Sequence, residues 1–234
     1  MSRSVVVALS GPSGAGKSTT VARLAEATGW VALDEAFYRL RPRPSLRFRS
    51  DRELAAIELR LLGEEARRFG EARRLSDDGA SVVADTGFLD PVDYTAGLAL
   101  LGRAQTATAR AVLARARALA ASGRLGIADL TVHLSVSPRA RSERVRSDPR
   151  GHPRAFRERH ELVGALLART VRPAVARQLP GRVVVVRAGA SPAAVARRIV
   201  RRALRTRPLG DRSAAAGRWL AVLERLVESR SGQS

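Results

Sequence analysis

The residues from Gly11 to Ser18 are those whose types and spacing most directly suggest chemistry. They read GPSGAGKS, which satisfies the pattern G-x-x-x-x-G-K-[ST] of a phosphate-binding loop. Glycines allow the backbone to turn with several N–H groups facing inward, and a helix that begins behind such a loop points its positive end at a bound anion. The segment therefore predicts a site for the phosphates of ATP.

Each position of the loop has an expected role. Lys17 is predicted to reach the β- and γ-phosphates and to act in catalysis, and the Ser18 hydroxyl is predicted to ligate Mg²⁺. ATP and Mg²⁺ are thus the expected cofactors. The residues expected to bind the nucleotide are Gly11, Ser13, Gly14, Ala15, Gly16, Lys17, Ser18 and Thr19.

Lys17 is also the only lysine among the 42 Lys and Arg residues of the chain. An ammonium is a compact charge on a flexible stem, whereas a guanidinium is a broad planar fork. A chain that uses arginine everywhere else and keeps lysine here indicates that the loop interior admits only the smaller cation.

Three acids follow apolar runs that read as strands. Asp85 is expected to hold Mg²⁺, with a turn-forming role before Thr86 as the alternative. Asp34 is a candidate general base for an acceptor hydroxyl. Alternatively, Asp34 caps a helix or is a solvated loop acid. Glu35, the next residue, is a second candidate for the base. Phe37 and Tyr38 either form a wall for a planar substrate or belong to the core. The residues expected to contact the substrate are Asp34, Glu35, Phe37 and Tyr38.

These residues must be positioned by alternating strands and helices. Near-continuous Val and Leu runs are typical of strands buried on both faces of a parallel sheet. We predict an α/β fold, a doubly wound, parallel five-stranded sheet with helices on both faces, plus a C-terminal helix. The predicted strands are 4–9, 30–34, 80–85, 130–136 and 182–187.

Two helical stretches carry particular expectations. The stretch 51–75 places Leu54, Ile57, Leu61 and Leu62 on one face, with Arg and Glu predicted elsewhere. Beyond a Pro/Gly/Arg linker at 205–212, an amphipathic helix at 213–229 either packs on its own domain or makes a dimer or partner contact.

Composition limits the function classes. The formal net charge of +20 comes with arginine in place of lysine almost throughout, which indicates a coding bias, and aromatic residues are not interleaved with the basic ones. Nucleic acid is therefore not expected as the main ligand. The sequence has no apolar run near the length of a membrane span and no signal-peptide pattern, so a cytoplasmic location without membrane contact is expected.

Four stretches together resemble P-loop nucleoside and nucleotide kinases, particularly thymidylate kinases and the related deoxynucleoside kinases, over about residues 4–204. In one of them, Arg144 follows Pro138 by six residues, as in thymidylate kinases, and the turn AGAS resembles the place where that family lodges adenine. The piece LDEAFYR resembles uridine-kinase-type enzymes, whose acid before the aromatic pair is the base. The four stretches read GPSGAGKST, VVADTGFLD, ADLTVHLSVSPRARSERV and VVVVRAGASPAAVARRI.

The resemblance implies a kinase domain over 1–204 with an arginine-bearing lid at about 139–159. Arg144 and Arg150 would then steady the transferring phosphoryl group, unless the eight arginines of this stretch merely coat a helix. Thr86 departs from the family pattern, which has an arginine there that contacts the acceptor.

The expected function is ATP-dependent phosphoryl transfer to a small molecule, with a nucleoside or nucleoside monophosphate as the leading acceptor. One alternative is a kinase for a non-nucleotide hydroxylated metabolite or antibiotic. Another is a P-loop NTPase or switch that transfers no phosphate; such switches usually carry a motif such as N-K-x-D, which the sequence lacks.

Overall fold

The computed structural model describes residues 4–146, 153–189 and 191–231. Its centre is a five-stranded sheet in which every neighbouring pair of strands is parallel. The predicted α/β fold is confirmed. The strands are β1 (Val6–Ser10), β2 (Val31–Leu33), β3 (Val82–Asp85), β4 (Leu130–Ser135) and β5 (Val183–Arg187). Their order across the sheet is β2-β3-β1-β4-β5.

Helices connect the strands and follow the last one. A π-helical turn over Leu167–Val171 joins the helices Arg154–Leu166 and Arg172–Gln178. The helices are α1 (Lys17–Thr28), α2 (Ala36–Arg39), α3 (Asp51–Asp77), α4 (Asp90–Leu100), α5 (Thr106–Ala121), α6 (Pro138–Arg146), α7 (Arg154–Leu166), α8 (Arg172–Gln178), α9 (Pro192–Ala203) and α10 (Arg212–Ser231).

Two apolar clusters lie on opposite faces of the sheet. Alternate residues of β1 divide between them, since Val6 belongs to the cluster with α3, α4 and α5, and Val7 to the cluster with α1 and α9. This is the packing that near-continuous apolar strands predict, because both faces of each strand need an apolar neighbour.

The register of the strands brings the expected chemistry to one edge. Leu9 of β1 pairs with Asp85 at the end of β3, and Leu33 of β2 pairs with Ala84. Because all strands run in the same direction, the residues that follow β1, β2 and β3 meet at the carboxyl edge of the sheet, where open α/β folds bind ligands.

Local signals define the ends of the main helices. Ser50 caps α3, where its Oγ accepts from the Glu53 amide at 3.2 Å, and the Glu53 carboxylate accepts from the Arg49 amide at 2.6 Å. Gly29 ends α1 in the left-handed region at φ +71°, a conformation that glycine adopts without strain.

The C-terminal helix packs against its own domain. Trp219 is 2% exposed, and its Nε1 donates to Asp93 Oδ1 of α4 at 2.9 Å. The other oxygen of Asp93 accepts from Arg172 of α8 at 2.8 Å. The apolar face of α10 is therefore covered by α4, α5 and α8. None of the helices in the described part of the chain has the length and hydropathy that a membrane span requires.

Candidate active site

The loop after β1 forms a cradle of backbone at the start of α1. Gly11 has φ +133°, and a Cβ there would lie 2.6 Å from the backbone oxygen of Leu134 on β4. Gly16, at φ +89°, is the N-cap of α1 and has no side chain to occupy the first-turn amides. The open amides and the helix dipole together suit an anion.

The side chain of Lys17 lies against the backbone of this loop. Its Nζ donates to the carbonyl oxygen of Gly11 at 3.0 Å and to that of Pro12 at 3.5 Å. Ser18 and Thr19 are exposed in the first turn of α1, and Ser13, Gly14, Gly16, Lys17, Ser18 and Thr19 all line the adjoining cavity. Six of the eight predicted nucleotide-binding residues thus share this surface, whereas Ala15 is buried and Gly11 is not among the residues that line the cavity.

The side chain of Asp85, at the end of β3, has a buried oxygen that is available to a metal ion. The residue is 6% exposed, and its buried Oδ1 has no hydrogen-bond partner among the residues that the structure describes. Together with the Ser18 hydroxyl, this free oxygen fits Mg²⁺, which takes few protein ligands and keeps phosphate oxygens and waters. The described residues contain no group of three or more His, Asp or Glu side chains arranged as a metal cage.

A guanidinium does reach the end of β3, although position 86 is threonine. Arg68 of α3 is completely buried; it donates to the Asp85 carbonyl oxygen at 2.8 Å, pairs with Glu65, and has Nη1 3.5 Å from the Thr86 hydroxyl. Thr86 itself has φ +75°, which is rare for a β-branched residue and marks stored backbone strain.

Next to the phosphate loop lies a cavity of about 300 Å³. The loop, α2, α3, α4 and α7 all contribute to its wall. Much of the wall is aromatic: the rings of Phe37 and Tyr38 meet edge to face at 5.3 Å, and the ring of Tyr94 stacks on that of His160 at 4.6 Å. The aromatic lining residues are Phe37, Tyr38, Phe48, Tyr94, Phe156 and His160.

The two adjacent acids after β2 point to different environments. Asp34 is exposed and does not line the cavity, whereas Glu35 lines it. Burial raises the pKa of Glu35 to about 7, an effect opposed by the nearby Lys17 ammonium and reinforced by the carboxylates of Asp85 and Asp90. Glu35 is therefore poised to exchange a proton near neutral pH.

Three further acids, which the sequence did not reveal as site residues, also line the cavity. Glu58 and Glu65 come from α3 and Asp90 from the start of α4, and burial raises the pKa of all three. The expectation that the Arg and Glu residues of α3 lie away from its apolar face was wrong for Glu58, Glu65 and Arg68, all of which are buried. Their spacing of seven and three residues was the available signal, because it places them on one side of a helix.

The arginines of the predicted lid separate into two groups. Arg141 donates to the Ser13 carbonyl oxygen at 2.9 Å, and Arg144 donates to those of Ala15 at 3.2 Å and Ala188 at 2.8 Å. Both therefore hold the phosphate loop, and Arg144 also lines the cavity. By contrast, Arg139 and Arg154 are exposed and pair with glutamates on their own helices. Arg150, and Ala190 of the predicted adenine turn, lie outside the described residues.

Fold and loop together define a P-loop protein. A family model described as an AAA domain (AAA_28) matches residues 6–177, and the chain belongs to this family. No protein of curated function matches the sequence significantly.

Solved structures with the same fold include two kinases. One is deoxyadenosine kinase from M. mycoides with bound dATP, at TM-score 0.63 and 16% identity over 84% of this chain and 97% of that one. Another is thymidylate kinase from Candida albicans, at TM-score 0.60 and 15% identity over 85% of this chain and 90% of that one. The resemblance to P-loop nucleoside and nucleotide kinases that the sequence predicted is thereby confirmed at the level of the fold.

Proposed function

We propose that the protein is an ATP- and Mg²⁺-dependent phosphotransferase whose acceptor is a hydroxyl group of a small molecule bound in the cavity. One observation carries this proposal: Glu35, with a pKa near neutrality, faces the same cavity as Lys17 of the phosphate loop. Beside them lies an aromatic-lined space with room for an acceptor, which a non-transferring NTPase does not need.

The loop residues bind the donor. Lys17 and the amides at the start of α1 hold the β- and γ-phosphates, and Arg144, which bridges the loop and the turn after β5, adds positive charge at the cavity wall. Ser18 and Asp85 would hold Mg²⁺, which when bound neutralises and orients phosphate oxygens.

Glu35 accepts the proton of the acceptor. The acceptor O–H bond breaks as its oxygen bonds to the γ-phosphorus, and the bond between that phosphorus and the β–γ bridging oxygen breaks to leave ADP. The proton passes to the Glu35 carboxylate and then to solvent. Asp34, which is exposed, is proposed to take no part in this step.

The lining supports an acceptor with a flat or apolar portion. Rings of α2, α4 and α7 offer stacking surfaces on several sides, and a space of about 300 Å³ holds a molecule of the size of a nucleoside. A nucleoside-like acceptor is in keeping with the fold that this chain shares with deoxyadenosine kinase.

ADP release tests the proposal. Release should be slow with ATP and Mg²⁺ alone and should rise at least tenfold with one member of a panel of nucleosides, sugars and amino alcohols. Lys17→Ala should abolish both rates. Steady hydrolysis that no acceptor changes would instead identify an NTPase or switch.

A further inference from the structure

The peptide between Asp85 and Thr86 is held in a conformation that its residue types do not favour. Thr86 is β-branched and only 3% exposed, yet its φ of +75° lies in the left-handed region. Rotation of the preceding peptide plane would return Thr86 to a relaxed φ. Because the protein keeps this conformation at the wall of the cavity, which Thr86 lines, the strain points to a functional demand at the end of β3.

Arg68 of α3 opposes that rotation. Its Nη2 donates to the Asp85 carbonyl oxygen at 2.8 Å, and this oxygen belongs to the same planar unit as the Thr86 amide. Its Nη1 lies 3.5 Å from the Thr86 hydroxyl. Turning the peptide plane would break the bond to a guanidinium that is completely buried, and a buried donor without a partner is costly.

The guanidinium of Arg68 is itself fixed from two sides. Nη1 pairs with Glu65, one turn earlier on α3, and the guanidinium carbon lies 5.5 Å from the ring centre of Phe88 in the turn after β3. A planar fork of two nitrogens can serve the Glu65 carboxylate and the Asp85 carbonyl oxygen at once. The strand end is therefore attached to α3 through one side chain.

The carboxylate of Asp85 depends on this backbone for its direction. Its Oδ1 is buried without a partner, and in the part of the chain that the structure describes no hydrogen bond or ion pair reaches this carboxylate. The rotamers open to a side chain depend on the φ and ψ of its own backbone. Whatever fixes the peptide after Asp85 therefore also fixes where its free oxygens point.

We propose that Arg68 is a positioning residue for Mg²⁺, because it fixes the peptide after Asp85 and thereby directs the free carboxylate oxygen toward the metal ion. This inference rests on the proposed function, in which Asp85 and Ser18 hold that ion. Arg68 does not line the cavity, so it acts through Asp85 alone. Groups that orient a metal ligand from behind typically change metal affinity about 10–100-fold.

The sign of the effect separates positioning from charge. A buried cation near a metal ion repels it, so the loss of the Arg68 charge by itself should strengthen Mg²⁺ binding. A positioning role predicts weaker binding, because the Asp85 oxygen loses its direction when Arg68 is lost. Neither electrostatic repulsion nor a lower stability of the folded protein accounts for such a weakening.

Calorimetry with AMP-PNP, an ATP analogue that is not hydrolysed, measures the effect. The metal-dependent gain is the affinity in saturating Mg²⁺ divided by the affinity in EDTA, and it should be about tenfold or more in the wild type. Glu65→Gln and the double variant Arg68→Met, Glu65→Gln differ only at Arg68. The double variant should show a gain about tenfold smaller than that of Glu65→Gln, with its affinity in EDTA within about twofold. An equal or larger gain in the double variant would overturn the inference.

Arg68→Lys keeps a cation beside Glu65 and covers the case in which the double variant does not fold. It replaces the fork by a single point donor, so the gain should fall by about threefold or more. Asp85→Asn removes the ligand itself, and adding Arg68→Lys to it should lower the gain no further, because both changes act on one carboxylate. A wild-type gain in Arg68→Lys, or a further loss in the combination, would overturn the assignment.

The same measurements distinguish this inference from the proposed function. A folded wild-type protein that binds no AMP-PNP, or binds it equally with and without Mg²⁺, would defeat the metal-dependent phosphotransferase. A gain that is present in the wild type and undiminished in every Arg68 variant would leave the phosphotransferase intact and show that Arg68 only stabilises the fold.

Discussion

At the scale of the residue, Glu35 and Asp34 are neighbours that the sequence does not distinguish. The chain passes from β2 into α2 at these two residues, and this places Glu35 at the cavity wall and leaves Asp34 in solvent. The pKa of Glu35 rises to about 7 because burial disfavours its charge, a change that needs the surrounding walls and hence the complete fold.

Glu35→Gln should lower kcat by about 10²–10⁴-fold with little change in the KM for ATP, because only the proton acceptor is lost. Asp34→Asn should retain nearly full activity. Steady-state rates of ADP release check both variants, and the reverse pattern would make Asp34 the base.

The pH dependence should follow the same group. The carboxylate form is active, so kcat/KM should fall about tenfold per pH unit below about 7 and level off above it. The groups that face Glu35 are Lys17, Asp85, Asp90 and Arg68. In Glu35→Gln this inflection should disappear; an unchanged inflection would assign it to another group.

Lys17→Arg should abolish turnover, by about 10²-fold or more, while the thermal unfolding temperature stays close to that of the wild type. The ammonium fits between the carbonyl oxygens of Gly11 and Pro12, where a planar guanidinium has less room. ADP release and circular dichroism measure the two effects, with Arg23→Lys on the exposed face of α1 as control. Near-native turnover would refute the steric argument.

At the scale of the element, α3 is both a core helix and a wall of the site. Its buried face carries Leu54 and Leu62 together with Glu58, Glu65 and Arg68. Arg68 connects this helix to the end of β3 through the Asp85 carbonyl oxygen. A guanidinium thus supports the strand end from a distant part of the sequence.

Arg68→Met should destabilise the protein by about 3–5 kcal/mol, because Glu65 would remain buried without its partner. Urea unfolding measures the change. Adding Glu65→Gln should recover part of the loss, since the uncompensated charge is then removed. Arg52→Met, which changes an exposed arginine of the same helix, should have little effect. A loss below about 1 kcal/mol in Arg68→Met would show that the pair does not brace the strand.

At the scale of the whole molecule, α10 completes the core beneath α4, a helix that lines the cavity. Its Trp219 joins Asp93 and Arg172 in a buried network, with the Arg172 guanidinium 4.7 Å from the Trp219 ring centre. Asp93 lies one turn from Asp90 and next to Tyr94, so the C-terminal segment supports the wall of the cavity.

Trp219→Ala should cost about 3–5 kcal/mol of stability through the cavity it leaves and the lost hydrogen bond to Asp93. Arg218→Ala, on the exposed side of α10, should change stability by less than about 0.5 kcal/mol. Denaturant unfolding followed by circular dichroism measures both. Similar small effects of the two substitutions would mean that α10 contributes little to the core.

The sequence by itself determined the alternation of strands and helices, the phosphate loop and the acids at the strand ends, because these depend on local pattern: apolar runs, glycines that allow unusual φ, and a lysine at a set spacing. It also limited the candidates for a general base to Asp34 and Glu35. It did not reveal Glu58, Asp90 or Arg68 as parts of the site.

Only the tertiary structure decided those features. Which acid faces the cavity depends on how α2 leaves the sheet, and the carboxyl-lined wall exists only when α3 and α4 pack side by side at the edge of the sheet. Shifted pKa values and unpaired buried groups arise from the removal of water by distant segments, a property that no local stretch of sequence possesses.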